Sequence, residues 1–219
     1  MPASACITGL GFVSCLGNDS ASVAAALREG RSGIVAHSFF DNPAIPIKVA
    51  GAVRGFSVDS PAYRDWSWPA LPAGGELPRE TLRGLAPHGV YAFHAFEQAL
   101  ADAGLARADL GDGATGLFCA SAGSAFLLHH NLAQARASRF QRGNPLGVIS
   151  SIAGTLNFTL AAHYGITGAV TGFVSACASS THALGYALDE IRLGRQERMI
   201  VVGAEEWNAD TVLPFAPMR

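Results

Sequence analysis

Apolar positions along the chain alternate between strand-like runs and three-to-four spacings, and these predict the elements in order. Ala5-Cys6-Ile7-Thr8 is a short β-type run, followed by the turn-rich Gly9-Leu10-Gly11. Asn18, Asp19 and Ser20 then offer N-cap oxygens to a helix running to about Glu29, with Gly30 at its C′ position. Behind Pro87, a good first-turn residue, Val90, Phe93, Ala95, Phe96, Leu100 and Ala103 recur at helical spacing until Gly104. A buried strand is expected at Thr115 to Ala120, then the small-residue turn Ser121-Ala122-Gly123 and a helix through Ala137. A further helix is predicted from about Leu146 to Tyr164, stopped by Gly165. Strand Ala169 to Ser175, helix Ala178 to Leu193 with Gly194 as its stop, and strand Arg198 to Gly203 complete the pattern.

The strands are apolar on both faces and each crossover contains a helix, so the fold class is α/β with a mostly parallel sheet between helix layers. One stretch breaks the pattern. Between about 39 and 87 lie seven of the eleven prolines, together with Trp66 and Trp68, and only Lys48 to Val53 alternates as a strand does. This reads as a long surface excursion with a short strand or hairpin rather than a separate domain.

Composition narrows the function classes. With 219 residues, 49% hydrophobic and 15% charged, the chain has ample surface to bury and is not disordered. Its 39 alanines and 25 glycines call for a core of closely approaching small residues. A net charge of −2 gives no footprint for nucleic acid or an anionic membrane. The apolar start lacks a preceding Lys or Arg and is broken by Gly9, Gly11 and Gly17, unlike a signal peptide. The run from Val148 to Ile166 carries Ser150, Ser151, Asn157 and His163, which suit a buried helix better than a membrane span. A cytoplasmic, reduced protein is expected.

Cys6, Cys15, Cys119 and Cys177 are irregularly spaced, with no CxxC pair and no zinc-ligand spacing to a histidine pair, so neither metal nor disulfide framework is expected. Cys177 is the exception in its setting, because it falls where an apolar strand ends and a helix begins. The unpaired N–H groups of a first helical turn favour a thiolate and can stabilise an oxyanion on an acyl group bound to sulfur. That is a strand–elbow–helix nucleophile; the alternative is that Cys177 is a small buried hydrophobe. His182 is five residues further on one helix, about 140° round from Cys177, so a structural, hydrogen-bonded histidine is expected rather than a Cys–His dyad. His129-His130 face different directions and make no metal clamp. His88, His94 and His163 have no carboxylate partner in reach by sequence. Gly9-Leu10-Gly11-Phe12-Val13-Ser14 lacks the third glycine of a dinucleotide fingerprint, and no cofactor is expected. Glu205 and Glu206 end the last strand; as neighbours they point apart, which leaves one of them as a brace for the site.

Taken in order, several segments resemble the elongating β-ketoacyl-acyl-carrier-protein synthases. They are Cys6-Ile7-Thr8-Gly9-Leu10-Gly11-Phe12-Val13-Ser14 with Leu16-Gly17-Asn18, and Leu27-Arg28-Glu29-Gly30-Arg31-Ser32-Gly33-Ile34. Tyr91-Ala92-Phe93, Glu97-Gln98-Ala99 and Ala101-Asp102-Ala103-Gly104-Leu105 are similar to the second helix of bacterial type II members. Ser175-Ala176-Cys177-Ala178-Ser179-Ser180 with His182-Ala183-Leu184-Gly185 resembles their nucleophile segment, and Ile191-Arg192-Leu193-Gly194 with Val202-Gly203-Ala204-Glu205-Glu206 fits the next strand of the family. Only Ser57 to Leu77 departs, being longer and richer in Pro and Trp.

The resemblance implies a thiolase-like layered α/β/α/β/α fold, with residues 1–219 covering most of the first, N-terminal half as an incomplete synthase domain. It implies Cys177 as the nucleophile that takes an acyl group from acyl carrier protein, before attack by the carbanion of decarboxylated malonyl-carrier protein. Gly123 aligns with the turn that gates the acyl pocket and Phe215 with an aromatic of its wall; a glycine at the gate implies a more open pocket. The substrates travel on carrier-protein phosphopantetheine, and a homodimer paired through strand Ala169 to Ser175, or a heterodimer with a ketosynthase-like subunit, is implied. In this family two histidines and a lysine of the second half drive decarboxylation. Here the only lysine, Lys48, stands elsewhere and no histidine matches those motifs. The C-terminal half and the last strand of the first sheet are therefore expected beyond Arg219 or on another chain. A non-catalytic ketosynthase-like subunit is the alternative, set against by Cys177, which such subunits usually lose; fatty-acid and polyketide or polyene pathways are not separated.

Overall fold

The computed structural model describes residues 4–218. Helix α1 (Ser20–Arg28) starts where Asp19 accepts the Ser22 N–H and ends ahead of Gly30. Strands β1 (Val35–Ala36) and β2 (Val49–Ala50) form a short antiparallel pair, so the expected strand at Lys48 to Val53 shrinks to two residues. Helix α2 (Arg79–Arg83) leads into α3 (Pro87–Asp102). After β3 (Thr115–Ala120) come α4 (Ala125–Ala137), α5 (Gly147–Ser151) and α6 (Thr155–Tyr164). Strand β4 (Val170–Phe173), helix α7 (Ser179–Arg192), strand β5 (Arg198–Gly203) and the short α8 (Ala209–Val212) complete the order. Gly30, Gly104, Gly165 and Gly194 all hold positive φ, as their expected places at helix ends require.

The three longer strands form one parallel sheet in the order β4–β3–β5. Only β3 is paired on both sides, and every residue of it is buried. Its period-two alternation sends Leu117 and Cys119 to one face and Phe118 and Ala120 to the other. Leu117 and Cys119 join Val90, Phe93 and Phe96 of α3 and Leu156 and Leu160 of α6 in the main core. Phe118 and Ala120 pack on Ala183 and Ala187 of α7, whose one-turn spacing of small side chains brings that helix close to the sheet. Helices on both faces of a parallel sheet give the layered α/β arrangement of a thiolase-like half.

Three local expectations need correction. Residues 5–8 form no strand. The backbone just beyond them is held by helix α3 instead: Leu10 N–H donates to Asp102 Oδ2 at 2.9 Å, and Phe12 N–H donates to Gln98 Oε1 at 3.0 Å. The approach is close enough that a Cβ on Gly11 would lie 1.8 Å from the Ala95 carbonyl oxygen. The long helix expected from Leu146 to Tyr164 is two helices, because the Ser151 carbonyl, which a continuous helix would use internally, accepts the Ser124 N–H at 2.9 Å. The Pro/Trp-rich excursion at about 39–87 is not confined to the surface. Val58, Trp66, Leu71, Leu77 and Leu85 are buried in the main core, since chain this apolar has only the flank of α3 to cover it. Buried Glu97 fastens it, accepting the Ala73 N–H at 3.0 Å on one oxygen and the Tyr164 hydroxyl at 3.1 Å on the other. Among the described residues no helix is long and apolar enough to cross a membrane.

This packing can be tested in two ways. Glu97→Ala strands a buried hydroxyl and a part-buried N–H together, so urea unfolding should show a loss of about 2–3 kcal/mol, against about 1 kcal/mol for Tyr164→Phe. Burial holds His94 and His163 below the ordinary value of 6.5, the Arg107 charge adding to the effect at His163. The unfolded chain therefore binds more protons as pH falls through 6.5, and the stability present above that pH is lost below it. Thermal midpoints should drop between pH 7.5 and 5.5, and the drop should be shallower in His94→Phe.

Candidate active site

The candidate residues lie on loops that leave the C-terminal ends of the three parallel strands, where open α/β sheets present their chemistry. Cys177 lies just past β4, Gly123 just past β3, and Phe215 comes two short turns after β5.

At the first of these, Ala176 turns the chain with φ +48, a left-handed conformation that costs an alanine about 1–2 kcal/mol. A local clamp holds it there. Ser179 Oγ accepts the Ser175 N–H at 2.7 Å and donates to the Ala176 carbonyl at 2.7 Å, while Ala178 N–H reaches the Ser175 carbonyl at 3.0 Å. The result is a tight elbow with Cys177 exposed at its tip, two residues before helix α7. Among the described residues Cys177 does not have the burial that the small-hydrophobe reading requires. Cys119 occupies that role instead, with burial pushing its thiol up to about 12. Cys6 is exposed and Cys15 half-buried.

Gly123 holds φ +82, and a Cβ there would lie 2.6 Å from both the Ala153 nitrogen and the Ser151 oxygen. The missing side chain thus does not leave an open space: the backbone between α5 and α6 fills it. Phe215 sits on a 3-10 turn, Leu213–Phe215, and is largely exposed. His182 is exposed and makes no side-chain hydrogen bond among the described residues, contrary to the bonded role expected of it. Its side of α7 turns away from the sheet that Ala183 and Ala187 meet. Lys48 Nζ donates to the carbonyls of Phe40 and Asn42 at 3.1 and 3.0 Å. Among the described residues no group of three or more His, Cys, Asp or Glu is placed to hold a metal ion.

A second group of residues was signalled by the sequence only through the carboxylate at the end of the last strand, read there as a brace. His88, in the first turn of α3, lies between Ser121 and Glu206. Its Nε2 is 2.8 Å from Ser121 Oγ and its Nδ1 is 3.3 Å from Glu206 Oε1. Asn208 Nδ2 donates to Glu206 Oε2 at 2.9 Å. All four side chains are buried. Burial also raises the nearby Tyr91 hydroxyl to about 12, with the negative charges of Glu206 and Asp59 adding to the effect. The pairing of positions 88 and 206 spans 118 residues, so only the turn of polar residues at each strand end could have hinted at it.

The family model described as "Beta-ketoacyl synthase, N-terminal domain" matches residues 4–219. The chain belongs to the β-ketoacyl synthase family. It is 31% identical over 217 residues to the 3-oxoacyl-[acyl-carrier-protein] synthase 1 of Haemophilus influenzae, covering 97% of this chain and 49% of that protein. The Escherichia coli K12 enzyme of the same name is 34% identical over 207 residues, or 92% of this chain and 47% of that one. Among solved structures, a β-ketoacyl synthase from Burkholderia phymatum superposes with a TM-score of 0.80 at 27% identity, over 97% of this chain and 49% of that one. The synthase domain thus spans about half the length of the curated relatives it matches.

Thiol accessibility in this synthase domain can be measured directly. With iodoacetamide at pH 7.5 and peptide mapping by mass spectrometry, Cys177 should be modified first, ahead of Cys6 and Cys15. Cys119 should stay unmodified until the protein is denatured. Labelling of Cys119 in the native protein would contradict its burial, and an absence of preference for Cys177 would contradict an activated elbow.

Proposed function

We propose that the protein carrying this chain performs a decarboxylative Claisen condensation, with Cys177 as its acylation nucleophile. The exposed thiol at the tip of a clamped, left-handed elbow is the observation that carries this reading. The Cys177 sulfur attacks the carbonyl of an acyl thioester, the new S–C bond replaces the old one, and the phosphopantetheine thiol leaves. The oxyanion formed on the way is stabilised by backbone N–H donation at the elbow, that of Cys177 included. Malonyl-carrier protein then loses carbon dioxide, its carbanion forms a C–C bond to the acyl carbon, and the Cys177 thiolate is released with a 3-oxoacyl product.

Acyl carrier protein is the expected partner on this reading, and Gly123 and Phe215 border the acyl pocket. The decarboxylation groups belong to a second half that packs against the exposed side of α7 near Leu184, with Val174 beyond β4 exposed as well. The outer edge of β4 is the natural pairing edge for a second subunit. A ketosynthase-like accessory subunit is the second reading, favoured by the likeness to a structure described as the ishigamide ketosynthase/chain length factor, with a TM-score of 0.77 at 25% identity. The exposed cysteine favours the condensing role over it.

Carrier proteins loaded with different acyl chains discriminate the two. The condensing reading expects an acyl mass adduct that maps to Cys177 and is absent from Cys177→Ala, with condensation falling more than about 1,000-fold in that variant. A protein that takes up no acyl group from any carrier, with Cys177 still alkylated by iodoacetamide, is the accessory subunit.

A further inference from the structure

We infer that Ser121, His88, Glu206 and Asn208 form a buried positioning relay that fixes the Gly123 turn against the Phe215 turn, and so sets which acyl chains reach Cys177. The inference rests on the reading of Gly123 and Phe215 as pocket residues.

With Glu206 as a carboxylate and His88 as a neutral imidazole, donor chemistry sets the direction of each bond in the relay. An ionised Glu206 only accepts. It takes the Asn208 Nδ2–H on Oε2 at 2.9 Å and the His88 Nδ1–H on Oε1 at 3.3 Å. His88 Nε2 is then the acceptor, and the Ser121 hydroxyl donates to it at 2.8 Å. That leaves a Ser121 lone pair for the Gly123 N–H at 3.3 Å. At the other end, Asn208 Oδ1 accepts the Thr211 N–H at 3.1 Å and caps α8, and the Thr211 hydroxyl reaches the Glu206 carbonyl at 3.2 Å. Helix α8 runs straight into the turn that carries Phe215.

One continuous chain of hydrogen bonds, converging on Glu206, thus joins the amide of the turn after β3 to the cap of the helix after β5, through the first turn of α3. The buried side-chain atoms without partners among the described residues are Asn18 Oδ1, Asn157 Oδ1 and Gln196 Oε1, none of them in the relay. The order Ser–His–carboxylate is that of a hydrolase triad, but Ser121 is buried and the cavity beside His88 has room for no more than one water. No substrate carbonyl reaches that hydroxyl. These are positioning residues: what they hold is the relative placement of two loops, and a small misplacement there is felt at the reacting thioester.

The test uses the intact protein and acetyl, hexanoyl and decanoyl thioesters of N-acetylcysteamine, with acylation of Cys177 followed by mass spectrometry. Ser121→Ala and Glu206→Gln should each change the decanoyl-to-acetyl rate ratio by at least about fivefold, and the double variant should lie within about twofold of the single ones, since both cut one chain. Alkylation of Cys177 by iodoacetamide, which needs no pocket, should stay within about twofold in the same variants. A separate readout needs no variant to be active: in the 15N-histidine-labelled wild-type protein, His88 should carry its proton on Nδ1, the rarer tautomer of free imidazole. A His88 protonated on Nε2 overturns the relay. So does an unchanged ratio in Ser121→Ala and Glu206→Gln while Phe215→Ala shifts it, and so does an equal fall for all chain lengths accompanied by lost alkylation. If Phe215→Ala leaves the ratio unchanged as well, the pocket reading itself has failed and the relay's role falls with it.

Discussion

The double-sided burial of β3 is the constraint on which the rest of the structure depends. Among the described residues it is the one strand with hydrogen-bonded neighbours on both edges and helices on both faces. Leu117 and Cys119 commit one face to α3 and α6, and Phe118 and Ala120 commit the other to α7. Because β4 and β5 run parallel to it, all three strands deliver their succeeding loops to one end of the sheet. A slip of one residue in β3 would exchange its two faces and move Ser121 and Gly123 away from the loops they meet. The site is therefore a consequence of register before it is a matter of side-chain chemistry.

Local signals made much of this legible. Strands Thr115–Ala120 and Arg198–Gly203 lie where continuous apolar runs between turn residues predict them, and glycines end the helices as their φ values demand. The Cys177 elbow was legible too, because a strand end, a small-residue turn and a helix start are contiguous in sequence. The failures were the cases decided by a distant partner. Residues 5–8 resemble a strand, yet Gln98 and Asp102 capture the backbone just after them. The helix pattern from Leu146 to Tyr164 breaks ahead of Gly154, which holds φ +88 at the start of α6 and reads from sequence as a tolerated helical glycine, while Ser124 takes the Ser151 carbonyl at the end of α5. The Pro/Trp-rich stretch looks like surface because it lacks periodicity, whereas its burial depends on Glu97 and the side of α3.

The same distinction explains the cysteines and histidines. Cys177 and Cys119 both adjoin or occupy apolar strands, and composition does not separate them. Position along the strand does: Cys119 faces the core inside β3, while Cys177 lies past the end of β4 where the chain must turn. For histidine the sequence is silent, since His88 and His182 differ only in which face of a helix meets the protein. His88 has a carboxylate partner 118 positions away, and His182 has open surface.

That distant pairing also limits how the three strand-end loops can vary. A buried polar chain contributes stability only while complete, because each unpaired member carries its full desolvation penalty. Replacing His88 alone would leave Glu206 as a buried carboxylate with one oxygen unpartnered and the Ser121 hydroxyl without its acceptor. The turn after β3, the first turn of α3 and the cap of α8 are thus coupled energetically even though no two of them are neighbours in sequence. Cys177 stands outside the relay, on an elbow that Ser179 closes within the five residues from Ser175. The elbow can keep its geometry while the loops around it change together, which separates the groups that perform acyl transfer from those that decide which acyl group is transferred.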